Sequence, residues 1–159
     1  MEKILKILED HARYTIEELS GMLNMSEAEV TAEIKRLEKE GIICGYKTII
    51  DWDKVSTDRV TALIEIKVTP QKTAGFEEIA ETIMVMPEVE SVYLMSGGYD
   101  FCVIVKGHTF KEVAMFVAKR LAPMNNVIST ATHFVLRRYK DLGTPLTGNQ
   151  KDDRGMLAL

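Results

Sequence analysis

Cationic and hydroxyl side chains recur at helical spacing between Ser26 and Lys39. Val30, Ile34 and Leu37 take the inward side of that stretch, which leaves Thr31, Lys35 and Arg36 outward. Such a face can touch a polyanion. Lys35 and Arg36 suit phosphate oxygens or base edges, Thr31 suits either, and Ser26 at the helix start suits a phosphate. Lys47, a little further on, can add a backbone contact. The competing reading is that Lys35 and Arg36 pair with the helix's own glutamates on a solvated face.

A second group is Gly97-Gly98-Tyr99-Asp100. Its glycines let the backbone approach a ligand closely and aim N–H groups at a carboxylate. Asp100 can hold an ammonium group. Together these match the zwitterion of a free amino acid. Thr130 and Thr132, on one face of a later strand, can add hydroxyls. The competing reading is a plain strand–strand turn, where Gly and Asp are common and Asp100 serves as a cap. His11, His108 and His133 share no ligand spacing with Cys44 and Cys102, so no metal or other cofactor is expected. No nucleophile–base pair and no phosphate loop can be read, so no enzyme is expected.

These residues need elements to position them. Thr15-Ile16-Glu17-Glu18 and Ser26-Glu27-Ala28-Glu29 are both capping boxes, each opening a short helix. Only Asn24 and Met25 lie between Leu23 and the second cap, and Gly41 stands where a glycine stops a helix. Two helices joined by so short a turn predict a helix-turn-helix that reads double-stranded DNA, or a helical hairpin that merely packs. Glu2–Asp10, with Ile4, Leu5 and Leu8 on one side, predicts a third helix across the pair. Ile42–Ile50 is β-branched with one internal glycine, which predicts a short hairpin, or wing. Residues 51–59 are polar and read as a linker.

From residue 60 the periodicity changes. Val60, Ala62, Ile64, Ile66 and Val68 alternate with Thr61, Leu63, Glu65 and Lys67, the pattern of a strand. A helix follows over Phe76–Ile83, then strands over Val89–Met95 and Phe101–Lys106. A third capping box at Thr109 opens a helix with Phe110, Val113, Ala114, Val117 and Leu121 on one face. A long last strand is expected over Val127–Lys140. The order β-α-β-β-α-β predicts a ferredoxin-like module with both helices on one sheet face. The uncovered face keeps Leu63 and, depending on phase, Val92 or Tyr93, Cys102 or Val103, and Phe134 or Val135. A second copy is the simplest cover, so a homodimer through the sheets is expected. Gly143, Pro145, Gly148 and Gly155 argue against any regular element in residues 141–159, read as a loose tail, or else as an arm that docks on a neighbouring subunit.

The fold class is therefore α+β. An N-terminal winged helix-turn-helix spans 1–50, a linker 51–59, a C-terminal ferredoxin-like βαββαβ domain for ligand binding and oligomerisation 60–140, and a tail 141–159. The apolar fraction of 46% is globular, and the longest apolar runs fall far short of a membrane span. Met-Glu-Lys runs straight into helical patterning with no leader, which predicts a cytoplasmic protein. Cys44 and Cys102 read as small buried residues in a reducing compartment, not as a disulfide. Net charge is −4, and residues 1–50 hold seven basic against ten acidic side chains. Phosphate neutralisation dominates DNA affinity, so this acidity argues against strong binding by a single copy.

The stretch Arg36-Leu37-Glu38-Lys39-Glu40-Gly41-Ile42-Ile43 followed by Gly45-Tyr46, with Glu18-Leu19-Ser20 and Ser26 before it, resembles the Lrp/AsnC, or feast/famine, family of bacterial and archaeal regulators. Gly97-Gly98-Tyr99-Asp100-Phe101 and Val127 with Thr130 and Thr132 extend the resemblance, which spans Glu2–Lys140. It implies a DNA-binding first domain and an amino-acid-binding regulatory second domain. It also implies dimers through the sheets, commonly built into octamers, with effectors bound between dimers near the Gly97–Asp100 turn. Where this chain has Glu33, relatives often carry Arg. The expected function is a sequence-specific transcriptional regulator whose assembly and DNA binding respond to an amino acid. The alternative is an amino-acid-binding assembly protein with weak or lost autonomous DNA binding.

Overall fold

The computed structural model describes residues 2–55, 58–69 and 75–146. The chain divides into two compact units, Met1–Ile49 and Ile50–Leu159.

The first unit holds α1 (Glu2–Asp10), α2 (Ile16–Leu23) and α3 (Glu27–Lys39). Ile4, Leu19, Val30 and Leu37 are buried at its centre, one or two from each helix, with Leu8, Leu23, Ile34 and Ile43 packed around them. Both capping boxes form as the sequence predicts, at Thr15 with Glu18 and at Ser26 with Glu29. The turn between α2 and α3 passes through Asn24 in the left-handed region, a conformation Asn tolerates better than most residues. Ser20 ties that turn: its hydroxyl donates to the Met25 carbonyl (2.6 Å), and its own carbonyl accepts from the Met25 N–H. Gly41, at φ +70°, ends α3, and the N–H groups of Ile42 and Ile43 both return to the Leu37 carbonyl.

That return has a cost for the expected hairpin. Ile42–Ile50 forms no strand. Its first two N–H groups are spent on the end of α3, and a short two-stranded ribbon is marginal by itself. The segment is held by the Tyr46 hydroxyl, which donates to Glu38 Oε1 at 3.0 Å. Burial, and secondarily the Glu38 carboxylate, raises the Tyr46 pKa above the ordinary phenol value.

The second unit opens with a 3-10 turn at Trp52–Lys54, and the Arg59 guanidinium lies 3.5 Å over the Trp52 ring. Then come β1 (Val60–Val68), α4 (Phe76–Met84), β2 (Val89–Leu94), β3 (Phe101–Gly107), α5 (Phe110–Phe116, prolonged by a π turn at Val117–Leu121) and β4 (Val127–Phe134). The sheet order is β2-β3-β1-β4, and every neighbouring pair is antiparallel. This is the βαββαβ arrangement expected from the element order. Ala62, Ile64, Ile66 and Val68 point to the helices and meet Ile79, Ile83, Val113, Phe116, Val117 and Leu121. Phe110 and Ala114 are exposed, not on the buried face of α5; that face centres on Val113, Phe116 and Val117.

Register settles the phases that the sequence leaves open. Val103 pairs with Ile64 and lies under the helices, so Cys102, opposite Glu65 and Tyr93, faces the uncovered side. Val92 and Phe134, opposite Val103 and Ala62, face the helices. The uncovered face therefore carries Leu63, Tyr93, Cys102, Ile104, Ala131 and His133. The last strand stops at Phe134, not Lys140, where its ladder with β1 ends at the pair Ala62–Phe134. Beyond it, β5 (Lys140–Asp141) and β6 (Thr144–Pro145) form a small hairpin. Leu142 (φ 41°) and Gly143 (φ 82°) take the two positive φ values of a tight hairpin turn. The expectation of no regular element after 140 is thus corrected at its start. The rest of the expected tail, 147–159, lies outside the described residues.

Candidate functional site

Two regions carry the candidate residues, one in each unit. In the first, α3 presents Thr31, Lys35 and Arg36 away from the buried Val30 and Leu37. Lys35 is exposed and makes no ion pair among the described residues. Arg36 is held: its Nε and one terminal nitrogen donate to the two oxygens of Glu33 (3.0 and 2.9 Å), and the other donates to Glu40 (2.6 Å). The fork geometry matches a carboxylate bidentately, and Glu33 sits one turn away as the i,i+3 rule requires. Hydrogen bonds donated to these carboxylates raise the Arg36 pKa, and the Arg36 hydrogen bond holds Glu33 below the ordinary carboxylate value. The intrahelical pairing that competes with DNA contact is thus present in the free chain.

Ser26 is engaged as well. Its hydroxyl donates to Glu29 Oε2 (2.7 Å) and accepts from the Glu29 N–H (3.3 Å). The Ser26 side chain and then its backbone N–H hold the Glu29 pKa low. A carboxylate therefore occupies the positive end of α3, the place where a phosphate would otherwise approach. Lys47 is exposed on the irregular segment after α3.

In the second unit, the Gly97–Asp100 turn joins β2 to β3. Asp100 is turned inward: its Oδ2 accepts from the Val68 N–H at 2.8 Å, and its own N–H donates to the Ile66 carbonyl. Val68 stands where the β1–β4 register shifts, so its N–H needs a side-chain acceptor. Asp100 thus braces the turn against β1. Gly97 and Gly98 face open space: a Cβ on either would meet nothing within 4 Å.

Beside Gly98 and Tyr99 is a cleft of about 110 Å³ on the uncovered sheet face, lined also by Glu65, Lys67, Ser129, Thr130 and Ala131. Gly98, Tyr99 and Thr130 come together there. Gly97, Asp100 and Thr132 are not among its walls. Thr130 and Thr132 pair with Ile66 and Ile64, so both side chains belong to the helix-covered side of β4. Burial, and more weakly Cys102 and Glu65, raise the Tyr99 pKa; burial and then Glu65 do the same for Cys102. Glu65 and Lys67 are the cleft residues that motif reading missed. Their signal is in the sequence, as opposite charges two residues apart on the outward side of an alternating strand. Only the fold shows that this side meets the turn. Among the described residues no group of three His, Cys, Asp or Glu side chains could hold a metal ion, and no helix is long and apolar enough to cross a membrane.

Comparison with known proteins bears on both regions. Residues 61–145 match the model of the Lrp/AsnC ligand-binding domain, and residues 2–43 match that of a winged helix-turn-helix DNA-binding domain. The chain is 43% identical over 153 residues to an HTH-type transcriptional regulator of Bacillus subtilis, YugG, covering 96% of this chain and 92% of that one. It is 30% identical over 139 residues to the HTH-type transcriptional regulator Ptr1 of Methanocaldococcus jannaschii, covering 87% and 91%. Its fold is shared with a transcriptional regulator of Neisseria meningitidis solved as an L-Met complex (TM-score 0.70, 24% identity, 98% and 96% covered). These families and relatives are regulators of transcription, not enzymes. With the helix-turn-helix closed by its two capping boxes and the four-stranded module that follows it in sequence, this chain belongs to the Lrp/AsnC family of transcriptional regulators.

Proposed function

We propose that this regulator acts in the cytoplasm as a homodimer whose DNA binding and assembly respond to a free amino acid. The observation that carries the effector reading is the cleft beside Gly98 and Tyr99, set in the ligand-binding domain. The solved relative from Neisseria meningitidis holds L-Met, which supports an amino acid as the ligand class. The dimer would close over Leu63, Tyr93, Cys102 and Ile104, an apolar patch on a sheet face that has no helix of its own. DNA contact would come from Lys35, Thr31 and Ser26 on α3 and Lys47 beyond it, with Arg36 exchanging its glutamates for phosphate or base.

The test is a gel shift on the DNA upstream of the protein's own coding region, titrated with salt and with each of the twenty amino acids. Light scattering under the same conditions reads assembly. Sequence-specific binding that Arg36→Ala weakens sharply supports the DNA assignment; unchanged operator binding by that variant removes Arg36 from it. No response of binding or size to any amino acid removes the effector reading. A second reading, an amino-acid-binding assembly protein with weak autonomous DNA binding, is favoured by the Arg36 clamp alone. Amino acid binding without any salt-sensitive shift would establish it.

A further inference from the structure

We infer that α3 selects its operator with Lys35 on a guanine and Ala32 on the methyl group of a nearby thymine, while Arg36 stays on the phosphate backbone. This rests on the DNA-contact reading and specifies which bases the helix chooses. An α-helix turns about 100° per residue. With the core direction set by Val30, Ile34 and Leu37, the outward residues fall into two adjoining sectors, each about 60° wide. One holds Ala28, Ala32, Lys35 and Lys39, and all four are exposed. The other holds Glu29, Glu33, Arg36 and Glu40. The acidity of α3 thus gathers on one flank, where Glu33 and Glu40 clamp Arg36 and Glu29 closes the cap at Ser26. The helix's other glutamates, Glu27 and Glu38, lie past the far edge of the first sector, and Glu38 accepts from the Tyr46 hydroxyl.

Phosphates repel the acidic flank, so the helix enters the groove on the acid-free sector. Lys35 and Lys39 make no ion pair among the described residues, so both charges are available there. Guanine presents two acceptors, O6 and N7, to a lysine in the major groove. Ala32 lies near the middle of the sector, one turn before Lys35, and has no place in the core of the unit. The apolar group that base edges offer in the major groove is the thymine C5-methyl, which suits an alanine methyl. Ala28, one turn earlier, is as short and lets the helix approach closely. From Ala32 to Lys35 is about 4.5 Å along the axis, so the guanine stands within about two base pairs of the thymine. Arg36 is held on the acidic flank, at the edge of the groove, where the partner that replaces its glutamates is a phosphate.

Selection of duplexes from a random pool by the full chain, followed by fluorescence anisotropy on the selected duplex, tests this. Deoxyuridine in place of one thymidine removes only the methyl, and deazaguanine removes only N7. Wild type should lose about fourfold at the thymine, the worth of one buried methyl, and about fivefold at the guanine. Ala32→Gly should bind the thymine and deoxyuridine duplexes equally, and Lys35→Ala the guanine and deazaguanine duplexes equally. Each comparison is a ratio of two duplexes on one protein, so a loss of helix stability in the variant cancels. Arg36→Ala should weaken all duplexes alike and lower the salt slope by about one, with the selected sequence unchanged. Wild type that tolerates deoxyuridine at every thymine overturns the methyl contact. A selected sequence that changes in Arg36→Ala and not in Lys35→Ala overturns the base assignment while DNA binding stands. If wild type enriches no sequence and shows no salt-sensitive binding, the DNA-contact reading itself fails, and this assignment with it.

Discussion

Replacing Asp100 by Ala should destabilise the second unit whether or not a ligand is present. Oδ2 of Asp100 is the acceptor for the Val68 N–H, at 2.8 Å, and Val68 is 5% exposed. The Ala variant removes the acceptor and leaves a buried donor next to a register shift. An orphaned buried group costs about 1–3 kcal/mol, and bonds to a charged acceptor lie in the upper part of that range, so we expect about 2 kcal/mol. Asp100→Asn keeps an oxygen at the same reach and should lose less than about 1 kcal/mol, the difference between a charged and a neutral acceptor. For a unit of this size 2 kcal/mol lowers the melting temperature by roughly 8 °C. The assay is urea unfolding followed by fluorescence of Trp52, the sole tryptophan, which lies in the same unit under Arg59. Equal unfolding free energies for wild type and Asp100→Ala would refute the bracing role and free this carboxylate for a ligand again.

Three further outcomes are expected. Glu33→Gln combined with Glu40→Gln should release Arg36 and remove two negative charges from α3; DNA affinity in a low-salt gel shift should rise at least fivefold, about 1 kcal/mol, and an unchanged affinity would place Arg36 away from the interface. Gly98→Ala should fold with a stability within about 0.5 kcal/mol of wild type, because its Cβ meets open space, yet weaken effector binding in calorimetry; equal binding would show that no ligand approaches this backbone. The first unit should lose stability in acid. Glu29 and Glu33 both have folded pKa values below their ordinary 4.5, so their contribution is complete above that value and drains as pH falls through the lower folded values. The urea midpoint of the helical circular dichroism should therefore hold from pH 7 to about 5 and fall below 4.5, and Glu33→Gln should flatten the fall.

The sequence by itself determined what short-range chemistry determines. Thr15 with Glu18 and Ser26 with Glu29 are partners three residues apart, so their hydrogen bonds are legible as spacing alone. The same holds for the stop at Gly41 and for the alternation of β1, whose period of two sorts Ala62, Ile64 and Ile66 from Leu63, Glu65 and Lys67 before any partner is known. The glutamates that hold Arg36 were also visible, at i−3 and i+4. Whether they or DNA take the guanidinium is a matter of relative affinity that spacing does not encode. The expected hairpin over Ile42–Ile50 misled for a related reason: Ile42 and Ile43 have strand residue types, but the end of α3 claims their N–H groups first.

Only the tertiary structure decided what depends on register. A shift of one residue moves every side chain of a strand to the other face, and nothing local distinguishes Cys102 from Val103 or Tyr93 from Val92 as the outward member. Pairing with β1 distinguishes them, through ladder bonds to a strand some forty residues away. The same ladder turns the side chains of Thr130 and Thr132 to the helices and sets Ser129 and Ala131 opposite Lys67 and Glu65. The Asp100 carboxylate finds Val68, 32 residues back, because the β2–β3 turn closes over the bulge in β1. Residue types marked the Gly97–Asp100 turn; the sheet selected which charges stand beside it, because contacts across strands depend on pairing that no window of sequence contains.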